Sequence, residues 1–423
     1  MVQTHGLLSI YDEVAKCNRC GFCQAQCPIY FVTGQEGSVA RGHNAHLRSI
    51  IEGKLDFNED LKAPLFECLL CRSCVANCFP AIKTDENVIV GRSAYNQRFG
   101  QSRLLDFIFK VILLNPRKMA FYLRLAAAGR NSRIMKLAQA FRIFKWFGRD
   151  LDQAIDILPG FPDSFLSDRI PESVLPSLSQ ETNRVAYFMG CGVNYALPEV
   201  GEATINVLRK RGCRVEIVAN NCCGLPPFVY GDLEAARRLA RRNIDLLKGL
   251  SVDAIVTDCA SCLSFLKDYP KLLAEEHNYV SWAEALTGKT YEFSDFFQSL
   301  PGIPVINSFN KIITYHDPCH LSRYQSITQQ PRDLIKSIPG ADFKEMPEAN
   351  WCCGAAGTYN VTHFQQSMKI LDRKVGNITG TGAGLVVTSC PACLLQLNYG
   401  VKRNKLPIEV CHLSQLIDKS LQY

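Results

Sequence analysis

The sequence predicts a protein of mixed class, α/β plus α. A helical, cysteine-rich N-terminal domain (residues 1–95) leads into a basic helical connector (96–181). Two tandem α/β repeats with parallel sheet follow (182–300 and 301–423). Three observations carry this. Two early runs, CNRCGFCQAQCP (17–28) and CLLCRSCVANCFP (68–80), share the spacing Cys-x2-Cys-x2-Cys-x3-Cys. Residues 92–149 hold thirteen Lys or Arg and a single acid, Asp106, with apolar residues at helical spacing. The later cysteines fall into two copies of one pattern about 130 residues apart, set where β-branched runs alternate with helical ones.

The bulk composition fits this plan. A chain of 423 residues has room for two to four domains, and 47% apolar content is that of a globular protein. Its opening, MVQTHGLLSIYDEVAKC, lacks the apolar core of a secretory signal, so a cytoplasmic location is expected. In that reducing compartment twenty cysteines are metal ligands or redox groups rather than disulfide staples. No uninterrupted apolar run reaches the ~18 residues of a membrane span. The nearest stretch, LLDFIFKVILL, is short and contains Asp106 and Lys110.

The two N-terminal runs have the spacing of the bacterial run that binds cubane [4Fe–4S] clusters. Three thiolates two residues apart wrap one face of a cube, and the fourth points away to the other cube. Cys17, Cys20, Cys23 and Cys78 are therefore assigned to one cluster, and Cys68, Cys71, Cys74 and Cys27 to the second. Pro28 and Pro80 turn the chain away after each run. Zinc prefers separated Cys-x2-Cys knuckles, which this close triplet fits badly. Between the runs, VARGHNAHLRSIIEGKL and LKAPLFECLLC read as helices. With these helices the domain resembles the α-helical ferredoxin of succinate dehydrogenase and related complexes. Two cubes close together suit the relay of single electrons.

The connector carries a net +12 over residues 92–149, which leaves −5 on the rest of a chain of net +7. Ile134, Leu137, Ala138, Phe141, Phe144 and Phe147 mark one helical face, and Asn115-Pro116 breaks one helix or opens another. Such a stretch is either a solvated helical linker or a docking surface for anionic lipid at the inner face of the membrane, or for an acidic partner. Basic residues mixed with Phe and Leu, without a base-reading motif, argue against nucleic acid. Residues 150–181, rich in Pro, Ser and Asp, read as an irregular boundary.

In the first repeat the cysteines are Cys191, Cys222, Cys223, Cys259 and Cys262. In the second they are Cys319, Cys352, Cys353, Cys390 and Cys393. RVAYFMG, CRVEIVANN and DAIVTD precede the first set; KIITYHDP and GLVVTS stand in the second. These are short runs suited to buried parallel strands, with EVGEATINVLRKRG and LEAARRLARRNIDLLKGL as helices between them. Ligands of parallel sheets collect at the carboxyl ends of the strands, so the thiols should gather on one rim. Helix N-termini at that rim favour thiolate charge. Gly224 and Gly354 let the backbone turn beside each cysteine pair.

Both repeats resemble the cysteine-rich CCG domain of heterodisulfide reductase catalytic subunits, most specifically in YHDPCHL (315–321), WCCGAAGTYNVTH (351–363) and TSCPACLLQL (388–397). The whole order, ferredoxin then two CCG domains, resembles the iron–sulfur subunits of glycolate oxidase and their D-lactate and lactate-utilisation relatives. The resemblance implies one or two noncubane [4Fe–4S] clusters, each held by the five cysteines of one motif, with zinc as the alternative at one of them. It makes the second set, Cys319 to Cys393, the candidate catalytic group. The first motif here is complete, which shades the chain toward the reductase pattern.

Two cysteines stand outside these sets, Cys213 and Cys411, and read as packed core thiols. His316, His320, His363 and His412 lie near the CCG motifs, either as hydrogen-bonding supports or as proton sources. No nucleotide-binding fingerprint appears; GTGAGL (380–385) precedes its strand, the wrong order for a phosphate cradle. Flavin is thus expected on a partner. The leading expectation is an electron-transfer subunit serving an FAD-containing 2-hydroxy-acid dehydrogenase, with a quinone, an electron-transfer flavoprotein or another carrier as acceptor. The alternative is a catalytic subunit that reduces a disulfide at a noncubane cluster, and a weaker one is a zinc-filled scaffold.

Overall fold

A computed structural model describes residues 5–131, 160, 162–178, 181–300 and 307–421. The N-terminal part is helical. Its longest helices are Ala40–Ile51 and Thr84–Phe99, joined by the shorter Tyr11–Ala15 and Lys62–Glu67. They enclose a core of Leu7, Val14, Leu47, Ile50, Phe57, Leu65 and Tyr95. The two helices expected between the cysteine runs are those at Ala40–Ile51 and Lys62–Glu67.

The described part of the connector forms a helix at Arg103–Phe107, a π-turn at Ile108–Ile112 and a helix at Pro116–Asn131. That last helix opens at Pro116, and Asn115 Oδ1 accepts the Lys118 N–H at 3.2 Å. Phe109 and Leu113 pack on Cys222 and Leu239, so the connector is partly fastened to the first repeat. Ile134, Leu137, Ala138, Phe141, Phe144 and Phe147 lie outside the described residues, as does much of the 150–181 boundary.

The repeats form two sheets. The first contains β1 (Ser173–Val174), β2 (Asn183–Tyr187), β3 (Cys213–Ile217), β4 (Ala254–Thr257) and β5 (Thr290–Glu292), in the order β1-β3-β2-β4-β5. The second contains β6 (Lys311–His316), β7 (Ala341–Phe343), β8 (Leu385–Thr388) and β9 (Glu409–His412), in the order β7-β6-β8-β9. Apart from β1, the two orders are the same, and every pairing in them is parallel. The strand β1 departs from the all-parallel expectation. It runs antiparallel to β3, with Ser173 opposite Glu216, and caps the outer edge of the sheet. The central strands β4 and β8 are buried along their whole length, as layers of helix on both faces require.

The repeats meet about a pseudo-two-fold axis. The helix after β4 (Ala260–Lys267) packs on the helix after β6 (Cys319–Gln325), and the helix after β2 (Gly190–Ala196) packs on the helix after β8 (Pro391–Arg403). Pro198–Lys210 meets Leu413–Ser420, and Phe293–Ser299 meets Gln329–Lys336, in the same reciprocal way. The axis brings the carboxyl rims of both sheets together.

Candidate metal centres

Each Cys-x2-Cys turn of the N-terminal runs is wound by the same backbone device. Arg19 and Leu70 take φ of 54° and 53°, and Gly21 and Arg72, two residues on, take 86° and 56°. Three of these four are not glycine. Left-handed residues of this kind persist where a functional site over-determines them. The turns create two adjoining cavities. Cys17, Cys20, Cys23 and Cys78 line one; Cys27, Cys68, Cys71 and Cys74 line the other. Each cavity thus draws sulfur from both runs. Ala40, Cys74 and Thr84 line both cavities, which therefore share a wall.

The two cavities differ in exposure. Cys20 is exposed, with Phe22 lining the same cavity and the 92% exposed Phe79 next to Cys78 in the chain, whereas Cys71 is buried. Burial raises the Cys27 thiol to about 12 and the Cys68 thiol to about 11. Such thiols ionise only with a cation to balance them, and Cys thiolates are the ligands of iron–sulfur clusters.

The second cavity sits where the N-terminal part docks on the repeats. Arg92 is buried and donates to the carbonyls of Leu65 (2.9 Å), Cys68 (2.6 Å) and Val229 (2.5 Å). Gly231, at φ +83°, lies so close that a Cβ there would stand 2.6 Å from Ser93 N. From the other repeat, Arg323 donates to Cys71 O at 3.0 Å and Tyr324 to Leu70 O at 2.6 Å. Both repeats therefore grip the Cys68–Cys74 loop or its flanks.

The CCG cysteines follow the strand ends, on the rim. Their thiols form an unbroken file. Cys191 meets Cys222, Cys222 meets Cys223, and Cys223 meets Cys262, which meets Cys259. The file then crosses the pseudo-two-fold: Cys259 meets Cys390 of the other repeat. It continues through Cys393 to Cys353, 3.4 Å away, and on to Cys352, which meets both Cys319 and Cys71. The two CCG motifs are thus adjacent, not separate.

Charge along the file is in conflict. Thiol donors from Cys222 and Cys262 push Cys223 down to about 5, and those from Cys352 and Cys393 push Cys353 well down. Their neighbours Cys222, Cys262 and Cys393 are pushed up. Metal cations would let all of them ionise. The backbone already serves sulfur: Gly224 N–H donates to Cys222 Sγ and Gly354 N–H to Cys352 Sγ, both at 3.4 Å. Both glycines are left-handed (φ 101° and 88°), and a Cβ on Gly354 would approach Ser367 O to 2.9 Å. The residues present fit iron–sulfur groups in donor type, burial and backbone support.

Of the four singled-out histidines, three have ordinary partners. His320 Nδ1 pairs with Ser264 Oγ at 2.7 Å across the repeats. His363 pairs with Thr362 Oγ1 and stacks on Tyr359. His412 bridges Ser414 Oγ and the Asp258 carbonyl. His316 is buried without a partner on either nitrogen, and burial pushes its pKa down to about 3. Cys213 is buried in the core of the first repeat and half-buried Cys411 packs in that of the second, away from the file.

Sequence reasoning missed Lys374. It is fully buried, donates to the carbonyls of Glu348 (2.6 Å) and Ala349 (3.1 Å), and lies near Cys353 and Cys352. Burial pushes its pKa down to about 8. The signal was available: Lys374 interrupts an apolar face of Ile370, Leu371, Val375 and Ile378.

A family model described as a 4Fe-4S dicluster domain matches residues 13–82, and one described as a cysteine-rich domain, CCG, matches 185–267 and 313–398. Over 415 residues the chain is 31% identical to a probable glycolate oxidase iron-sulfur subunit of Bacillus subtilis, spanning 96% of this chain and 93% of that one. The chain belongs to the glycolate oxidase iron–sulfur subunit family. It is an iron–sulfur subunit of an oxidoreductase. Lactate utilization protein A of Bacillus licheniformis is 30% identical over 237 residues, 56% of this chain and 99% of its own. That of Shouchella clausii is 32% identical over 236 residues, 55% and 98%. A crystal structure of a hypothetical protein from Helicobacter pylori shares the fold, with a TM-score of 0.52 at 10% identity over the whole of this chain and 78% of that one. Among the described residues no helix is long and apolar enough to cross a membrane.

Proposed function

We propose that this chain relays single electrons between a flavin on a partner subunit, which oxidises a 2-hydroxy acid such as glycolate or D-lactate, and a quinone or another carrier. The observation that carries the reading is the file of thiols that runs from the exposed Cys20 cavity, through the shared wall at Cys74 and the Cys71–Cys352 contact, to Cys191. The two N-terminal quartets would hold cubane clusters and the two CCG sets iron–sulfur groups, which supply one-electron oxidation and reduction when bound. The names of the relatives support the class of substrate.

The protein's own residues do the rest. Cys20, Phe22 and Phe79 leave the first cavity open to a docking carrier. Arg92, Arg323 and Tyr324 hold the second against the repeats. Lys374 places a buried ammonium beside Cys352 and Cys353, where added negative charge is favoured. Exposed Leu104, Phe121 and Leu125 on the basic connector supply an apolar and cationic face for peripheral contact with anionic lipid.

Anaerobic purification together with whatever accompanies the chain tests this reading. A flavin-bearing partner, and dye reduction on adding glycolate or D-lactate, is the expected result. Disulfide reduction by the isolated chain, with no flavin partner, would replace the relay by the heterodisulfide reductase reading.

A further inference from the structure

The two CCG sites are not equivalent, although the chain builds them from matching cysteines. Three residues before its first cysteine, the first repeat has Phe188 and the second has His316. Both side chains are buried, at 0% and 1% exposure. His316 closes strand β6 and points at the thiol file: one ring nitrogen and the sulfurs of Cys353 and Cys393 all lie within 4.8 Å of one another. Among the described residues this is the one group of three His, Cys, Asp or Glu side chains so arranged.

The imidazole is otherwise stranded. Neither nitrogen has a hydrogen-bond partner. A buried polar ring without partners is costly, and natural interiors rarely keep one. His320, His363 and His412, close by in the same repeat, each have a partner. Neutral imidazole is a common metal ligand, and coordination would satisfy the nitrogen that hydrogen bonding leaves bare.

We propose that His316 is a nitrogen ligand to the metal of the second CCG site, beside Cys353 and Cys393. This rests on the reading that the second site holds metal. The first repeat offers only sulfur at the matching place, since Phe188 cannot bind. The two CCG sites would therefore differ in donor set, sulfur alone in the first and sulfur with one nitrogen in the second.

Diffraction from the anaerobically prepared full chain, recorded at the iron and zinc edges, tests the assignment. The expected result is metal among Cys319, Cys352, Cys353, Cys390 and Cys393, with a His316 ring nitrogen at about 2 Å from it. Metal present but farther than about 3 Å from both nitrogens, as for a hydrogen bond to sulfur, overturns the inference and leaves the metal reading standing. A second site without metal overturns both. His316→Phe, which installs the residue of the first repeat, supplies a second readout. The expected result is a changed metal content or visible spectrum of the second site, with the cubane signals unaltered. An unchanged spectrum and metal content would overturn the assignment.

Discussion

The thiol of Cys71, on the N-terminal domain, meets the thiol of Cys352, in the second repeat, inside one buried cluster with Ile29, Trp351 and Tyr359. Two residues 281 positions apart in sequence thereby join two sets of cysteines that the chain builds independently. Arg323 stands over the junction, donating to Cys71 O and, at 2.6 Å, to Asn350 O. The contact sets the spatial order of the thiols: the exposed cavity, the buried cavity, the second CCG set, then the first.

Cys71→Ser tests that order. The hydroxyl is a poor ligand for iron and cannot replace the thiolate. Electron transfer from hydroxy acid to a distant acceptor is expected to be lost, while the flavin of the partner still bleaches with substrate. Undiminished turnover with the acceptor would show that electrons bypass the junction.

Arg92→Met tests the docking. The guanidinium serves three buried carbonyls, two in the N-terminal domain and one, Val229 O, in the first repeat. Methionine fills the space but leaves the acceptors bare, at a cost on the order of 3 kcal/mol. The midpoint of thermal unfolding should fall, and limited proteolysis should separate residues before about 100 from the repeats. Arg92→Lys should fall between, since it keeps the charge but not the fork. An unchanged midpoint for the methionine variant would contradict the role given to Arg92.

Glu292 sets a pH dependence. Its carboxyl is fully buried, accepts from the Ser294 N–H at 2.6 Å and from the Ser294 hydroxyl, and has one oxygen without a partner. Burial pushes its pKa up to about 7 from 4.5. Below about pH 4.5 the folded and unfolded chains both hold the proton, and the neutral acid carries no penalty. As pH rises through this window the unfolded chain ionises first, so stability falls until the folded carboxyl ionises near pH 7. The loss is about 3 kcal/mol. Glu292→Gln should flatten the decline in unfolding midpoint between pH 5 and pH 8, relative to the parent; parallel profiles would refute the raised pKa.

The basic connector predicts salt-sensitive membrane contact. Vesicles rich in anionic lipid should retain the protein at low ionic strength and release it as salt screens the charges. Arg117→Glu with Arg124→Glu should weaken retention further. Binding that ignores salt, or no binding, would remove lipid from the partners.

What could be read in advance divides along physical lines. Cluster spacing is local, so Cys17, Cys20 and Cys23 are legible as a group, and one cavity gathers them with Cys78. The buried strands β2, β4, β6 and β8 show as β-branched runs because helices cover both faces. The short strands β5 and β7, with sequences TYE and ADF, carry no period to detect. The meeting of Cys259 with Cys390 depends on how the two repeats join, with Ala260–Lys267 packed on Cys319–Gln325 and the Ala260 N–H donating to Ser389 O at 3.2 Å, and no spacing encodes it. The isolation of His316 was hidden for the same reason: a histidine in a sequence gives no sign of whether its nitrogens will find partners.

Iron and acid-labile sulfide per chain, measured on anaerobically purified protein alongside its electron paramagnetic spectrum before and after dithionite, test the central claim most directly. A brown protein is expected, with about eight iron and eight sulfide from the N-terminal quartets alone, more from the CCG sets, and paramagnetic signals on reduction. A colourless protein without sulfide, its thiols free or filled with zinc, would contradict it.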